Sequence, residues 1–376
     1  MVSLCFIYLM RVFSIISILF LFFSCKEKRE LSVYPILEIN DTIAFNFDNI
    51  PIPNERSSFG SSSESFYYTY GFTDSLGLYQ YEFEKGLWEA LFFHFDGPNG
   101  LKKDDDFVLI NDTLAIHNLK GLSSFQLIDL RSKQLKTFKF EDSRMGLEKL
   151  TSNSIYFDGE VIGFPISYYM SNKDIEYTKT VPIFGIYHLD SSKIISHFGF
   201  PKDFHDDVYS LNFLSRSFSI VDQTIYLNME KSAHIFSYDL DGKLIKKTLV
   251  DSEFVSISNP GIGENQISDM LSSVIEGRYS SFVFDGQNFS RTVIYFPNGT
   301  KPKTIDVESF MGALDQFRFK VIKLDKNLEK VGEGDFSGSP SKKGIGDDLY
   351  FTKNGTIYFW LLDKQSENIE KFVSVE

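Results

Sequence analysis

The sequence predicts an all-β fold: a β-propeller of six blades with short helical insertions. Three observations carry that expectation. The chain of 376 residues holds only five alanines (Ala44, Ala90, Ala115, Ala233 and Ala313), and alanine is the best helix former. Its 39 Phe, 19 Tyr and 2 Trp make 16% of the residues, and these types favour pleated, half-buried surfaces. A strand-and-corner unit also recurs along the body, as repeat architectures require. A two-sheet sandwich with a second β domain is the alternative, and the unit spacing leaves five or seven blades open. The composition excludes other classes. A chain that is 43% hydrophobic and this rich in rings is not disordered. A formal net charge of −13 lacks the basic face that nucleic-acid phosphates need.

Residues 1–24 read as an export signal. Arg11 precedes the apolar-plus-Ser run Val12–Phe23, followed by Ser24, Cys25 and the charged Lys26-Glu27-Lys28-Arg29-Glu30. A basic start, a short apolar stretch and a small residue before the cut are the parts of a secretory signal. Twelve residues are too few to span a bilayer, which takes about 20. An uncleaved anchor over Val2–Phe23 is the alternative, and it tethers the same body outside the cytoplasm. Leu21-Phe22-Phe23-Ser24-Cys25 resembles a bacterial lipoprotein box. The resemblance implies that Cys25 becomes the acylated first residue of the mature chain. Cys5, the other cysteine, leaves with the signal, so no disulfide framework is expected. Residues 25–34 then form a tether, and 35–376 form a single propeller domain. One Arg departs with the signal, which turns −13 into −14.

In the body, the corner unit is clearest in Phe125-Gln126-Leu127-Ile128-Asp129-Leu130-Arg131-Ser132-Lys133 and Ile235-Phe236-Ser237-Tyr238-Asp239-Leu240-Asp241-Gly242-Lys243. Phe184–Asp190 and Phe319–Asp325 are further copies, and Tyr79–Gly86 and Leu361–Lys364 are weaker ones. Aligned on Phe83, Leu130, Leu189, Leu240, Leu324 and Leu362, the units lie 47, 59, 51, 84 and 38 residues apart. A four-stranded blade takes about 40–50. Alternating runs such as Asp112–His117, Gln223–Leu227 and Gly355–Phe359 precede the corners. Asp158-Gly159, Asp241-Gly242, Asp285-Gly286, Asn298-Gly299 and Asn354-Gly355 mark hairpins, because such pairs accept the positive φ of tight turns.

Helical spacing is local. Ile267, Met270, Leu271, Val274 and Ile275 predict a short helix over 265–276, and 307–317 reads as another. Both fall in the 84-residue gap. The strands Ser281–Phe284 and Thr292–Phe296 in that gap belong to the same blade or to an extra one. Leu37–Phe47 and Phe372–Val375 are the candidates for closing the ring, which hides the sheet edges.

The signal, a body of this length and the Asp-Leu corners followed by Gly or Ser and Lys resemble the Bacteroidota lipoproteins of the domain-of-unknown-function 4221 family, related to six-bladed β-propeller lipoproteins. The resemblance covers the mature chain. It implies a propeller, a membrane anchor through the N-terminal lipid and a cell-envelope, outer-membrane location, with no catalytic motif to carry over.

No nucleophile elbow, P-loop, H-E-x-x-H pair or EF-hand loop is present. Gly332–Gly338 has the wrong spacing for a dinucleotide loop and reads as flexible. His117, His188 and His234 sit in strand patterns and read as packing residues. His205-Asp206, on a loop before Val208, can offer a ligand or a cation imidazole and carboxylate groups. Asp104–Asp106 reads as a surface turn. Arg216 and Arg278 each precede a strand, where a propeller places residues at the axial channel or its mouth. There a guanidinium either grips an anion or pairs with an acid. Ligand-binding candidates are therefore Arg216, Arg278, His205 and Asp206. No catalytic residue, cofactor or metal is expected. Rings such as Phe66–Tyr70 or Tyr168-Tyr169 serve a sugar platform only if exposed, and otherwise pack between blades. The expected function is a non-enzymatic envelope module that binds a protein or glycan partner. The alternatives are a propeller hydrolase or lyase acting on glycan or peptide, and a sensor or scaffold.

Overall fold

A computed structural model describes residues 39–375, apart from 48–49, 52–58, 62–64, 96–100, 102–106, 120–121, 171–175, 258–265, 298, 303, 305, 314–315, 317, 337–349, 354–355 and 362–368. Residues 1–38, which include the segment read as an export signal, Cys25 and the expected tether, and Asp104–Asp106 lie outside the described residues. Residues 36–376 form one compact unit.

Six antiparallel sheets make up this unit. Five are built from consecutive strands. The first blade runs Phe59–Ser61, Ser65–Gly71, Ser75–Glu82 and Leu87–His94. The second runs Phe107–Asn111, Leu114–Asn118, Ser124–Asp129 and Leu135–Lys139. In the third, Met145–Leu147 and Tyr156–Phe157 share one partner strand, Val161–Tyr168, and the turn Ser152–Ser154 sits between them. Pro182–His188 and Lys193–Gly199 complete that blade. The fourth runs Arg216–Val221, Thr224–Met229, His234–Tyr238 and Leu244–Leu249. The fifth runs Arg278–Phe284, Phe289–Tyr295, Arg318–Leu324 and Lys330–Phe336. The sixth joins both chain ends, with Ile39–Asn46 outermost beside Ile369–Val375, Thr356–Leu361 and Tyr350–Lys353. Ile43 pairs with Phe372 in that closure, as the terminal strands predict. Pairing the two ends removes two free sheet edges.

In each consecutive blade the first strand is innermost. Innermost strands touch between the first and second, the fourth and fifth, and the sixth and first blades, and in the third blade the turn 152–154 reaches the first strands of both neighbours, while the fourth strands are mostly exposed or half-buried. The aromatic residues fill the joints between blades. Phe125 of the second blade meets Phe164 and Tyr187 of the third at 5.2 Å each. Phe198 of the third stacks on Tyr238 of the fourth at 4.0 Å. Tyr226 of the fourth lies 4.7 Å from Phe289 of the fifth. Phe45 of the sixth lies 5.0 Å from Phe66 of the first. Phe66, Tyr67 and Tyr68 are buried, so this run is core and offers no sugar platform. Burying each such ring stabilises the fold by about 1.5–3 kcal/mol.

Five of the six corners fall where the third strand turns into the fourth. The sixth, Leu362, lies outside the described residues; in that blade the N-terminal strand takes the outermost place. Among the described residues, the 84-residue gap holds no extra blade. Helices Gln266–Ile275 and Val307–Ala313 occupy the linker into the fifth blade and its second loop. Two expectations need correction. Lys330–Phe336 is a strand and not a loop, with Ile322 paired to Glu333. Its glycines take the inward positions, so no apolar alternation marks them. Asn298 lies outside the described residues, and Gly299 falls in the 296–317 insertion between two strands and not in a two-residue hairpin. A two-residue hairpin does occur at Asp222-Gln223, where both residues have positive φ (48° and 64°) without any glycine.

Candidate functional site

The two ends of the propeller differ in their connections. At one end, first-to-second and third-to-fourth strands meet in short turns such as 222–223, 239–243 and 325–329. The opposite end carries the links between blades and the second-to-third loops. There the segments 169–181, 200–215, 250–277 and 296–317 are long. Exposed large apolar residues follow the same division. Leu122, Tyr169, Met170, Leu211, Ile257 and Val307 all lie on the long-loop end. Among the described residues, the others sit on outermost strands and none lies in a short turn.

Arg216 and Arg278 are the first residues of two neighbouring innermost strands, so both stand at the long-loop end beside the axis. Their neighbours come from elsewhere. Arg216 pairs with Glu148 of the third blade through Nη2. The same nitrogen donates to the Ile166 carbonyl at 3.0 Å, and Nη1 donates to the Leu214 carbonyl at 3.3 Å. The guanidinium lies over the Phe200 ring at 5.0 Å. Burial pushes the Glu148 carboxyl above its ordinary range, and Arg216 only partly offsets this. Burial also pushes the Tyr177 hydroxyl up, with Arg216 and Glu148 near enough to act on it in opposite senses.

Arg278 Nη1 meets Glu230 of the fourth blade at 3.1 Å. The Glu230 amide donates to the Ser215 carbonyl at 2.9 Å, and its carbonyl accepts from the Tyr279 amide at 3.0 Å. One residue thus stitches the starts of both innermost strands together. Next to it, Lys231 is buried and donates to the Gly277 carbonyl. Burial lowers its pKa to about 8.

His205 and Asp206 lie on the 200–215 linker at the same end. His205 Nε2 is 3.0 Å from the Phe200 carbonyl, so it braces the residue whose ring supports Arg216. Asp206 is exposed. Among the described residues, no cluster of His, Cys, Asp and Glu is arranged to hold a metal. The sequence reading missed Glu148, Glu230, Lys231 and Arg291. Glu148 lies 68 positions from Arg216, and nothing local links them. Glu230-Lys231 follows an alternating run, and nothing in the local pattern shows that the start of the fifth blade covers it.

Arg291 is fully buried in the fifth blade. Its Nε donates to Asn228 Oδ1 at 2.8 Å and its Nη2 to the Ser232 carbonyl at 2.6 Å. Its Nη1 donates to the Val250 carbonyl, and the group lies 3.3 Å from the centre of the Tyr279 ring. Burial lowers its pKa to about 9, so it stays charged at neutral pH. With carbonyls and a ring as partners, it is a structural peg between the fourth and fifth blades.

No family model matches the chain, and no curated protein does. Solved structures do. A domain-of-unknown-function 4221 family member from Bacteroides vulgatus matches with a TM-score of 0.68, at 13% identity, over 90% of this chain and 97% of that one. The chain shares its propeller fold. A Bacteroides fragilis protein described as exported matches with a TM-score of 0.50, at 11% identity, over 91% of this chain and 95% of that one. At these identities the likeness concerns fold alone.

Proposed function

We propose that the protein is a non-enzymatic binding propeller, exported and tethered to the cell envelope through a lipid on Cys25, whose long-loop end docks its partner. The observation that carries this reading is that, among the described residues, exposed large apolar side chains stand in the long-loop end's connections and in none of the short turns, and such exposed groups mark contact surfaces. The export signal supports the location, as does the fold shared with a Bacteroides protein described as exported. A hydrolase or lyase needs an acid or base free to exchange protons with substrate. Glu148 and Glu230 are instead each held by an arginine of the next blade.

Two experiments test the reading. A photo-crosslinking residue at Leu211 should give a discrete adduct in intact cells, and one at Asp241 on the short-turn end should give none. Equal labelling from both ends would refute a docking face. Cys25→Ala should abolish incorporation of radiolabelled palmitate, and continued labelling would refute the lipid tether.

A further inference from the structure

We propose that Arg216 anchors a carboxylate site at the axial mouth, where the carboxylate of a small organic acid takes the place of Glu148. The proposal rests on the reading of the long-loop end as the binding face, and it names the chemistry recognised at its centre. Arg216 is set in advance. The carbonyls of Leu214 and Ile166 and the ring of Phe200 fix its plane, and His205 braces Phe200 in turn. Only 7% of the Arg216 side chain is exposed. A guanidinium has five donors in one fork, and Nε here is buried without a hydrogen-bond partner. The fork is therefore incompletely used.

Glu148 engages only its Nη2. The side chain is 31% exposed, against 7% for its partner, so the acid lies on the solvent side of the arginine. Its one side-chain hydrogen bond among the described residues goes to Arg216 Nη2. A well-satisfied buried carboxylate accepts several. Moving Glu148 outward into solvent uncovers the guanidinium without disturbing the carbonyls that hold it. An incoming carboxylate matches the fork in shape and in single charge. A phosphate dianion would leave excess negative charge beside Glu148, while Arg278 is already committed to Glu230.

The test is a titration of the purified full-length protein with sodium benzoate, read at the arginine Nε–H signals by 15N NMR. The Arg216 signal is assigned by its loss in Arg216→Lys. Benzoate should shift that signal saturably, and sodium phosphate at equal ionic strength should not. Glu148→Gln removes the internal competitor and should tighten benzoate binding about tenfold, a difference of about 1.4 kcal/mol. No saturable shift in either protein would overturn the proposal. So would an equal response to phosphate, or an unchanged affinity in Glu148→Gln. Crosslinking from Leu211 does not depend on Arg216, so the docking face stands or falls separately.

Discussion

At the short-turn end, acids fold back on their own chain. Asp129 accepts from the Ser132 amide at 2.7 Å, Asp158 from Val161 at 2.9 Å, Asp285 from Asn288 at 2.7 Å and Asp325 from Glu329 at 2.8 Å. At the long-loop end, Asp142 and Asp306 also accept from their own chain, but two acids there reach across a joint. Glu148 meets Arg216 of the following blade, and Glu230 meets Arg278 of the one after. The first kind of contact makes a turn and is complete within four or five residues. The second kind ties neighbouring blades together. The difference teaches that this propeller shapes one end for closing strands and the other for joining blades and presenting a surface.

The sharpest way to break that contrast is at Arg291. Arg291→Leu should cost about 3–5 kcal/mol in urea unfolding, because Asn228 and the Ser232 and Val250 carbonyls stay buried without their donor. A cost below about 1 kcal/mol would mean that the rings alone join these blades. Gly277→Ala is the next test of the long-loop joint. Gly277 has φ +76°, and a Cβ there would lie 2.1 Å from the Phe254 carbonyl oxygen. A loss of about 2 kcal/mol is expected, and a neutral result would show that the 250–277 linker shifts freely.

The smallest effect compares the two kinds of acid. Backbone amides hold Asp158 below the ordinary carboxylate range. Its contribution is present at neutral pH and is lost as pH falls below about 4. Burial holds Glu148 above that range, so its protonation favours the folded state as pH falls. Asp158→Asn should therefore flatten the acid-side fall in melting temperature, and Glu148→Gln should steepen it. Matching effects of the two variants would erase the distinction.

Much of this was legible along the chain. The corner at Asp129-Leu130 and that at Asp239-Leu240 both mark third-to-fourth turns, because an acid that caps its own turn acts within a few residues. Arg216 and Arg278 were legible as strand starts. Their partners were not, since Glu148 belongs to the previous blade and Glu230 to a loop covered by the next. The turn at Asp222-Gln223 escaped because neither residue is glycine.

By itself the sequence determined the strand-rich class, the repeated corner, the two helical insertions and the closure by both chain ends. All of these rest on local propensity and periodicity. Only the tertiary structure decided which rings face which blade, that Gly332 and Gly334 lie in a strand, and that two arginines meet two acids at one mouth. Those outcomes depend on side chains tens of residues apart that packing alone brings together.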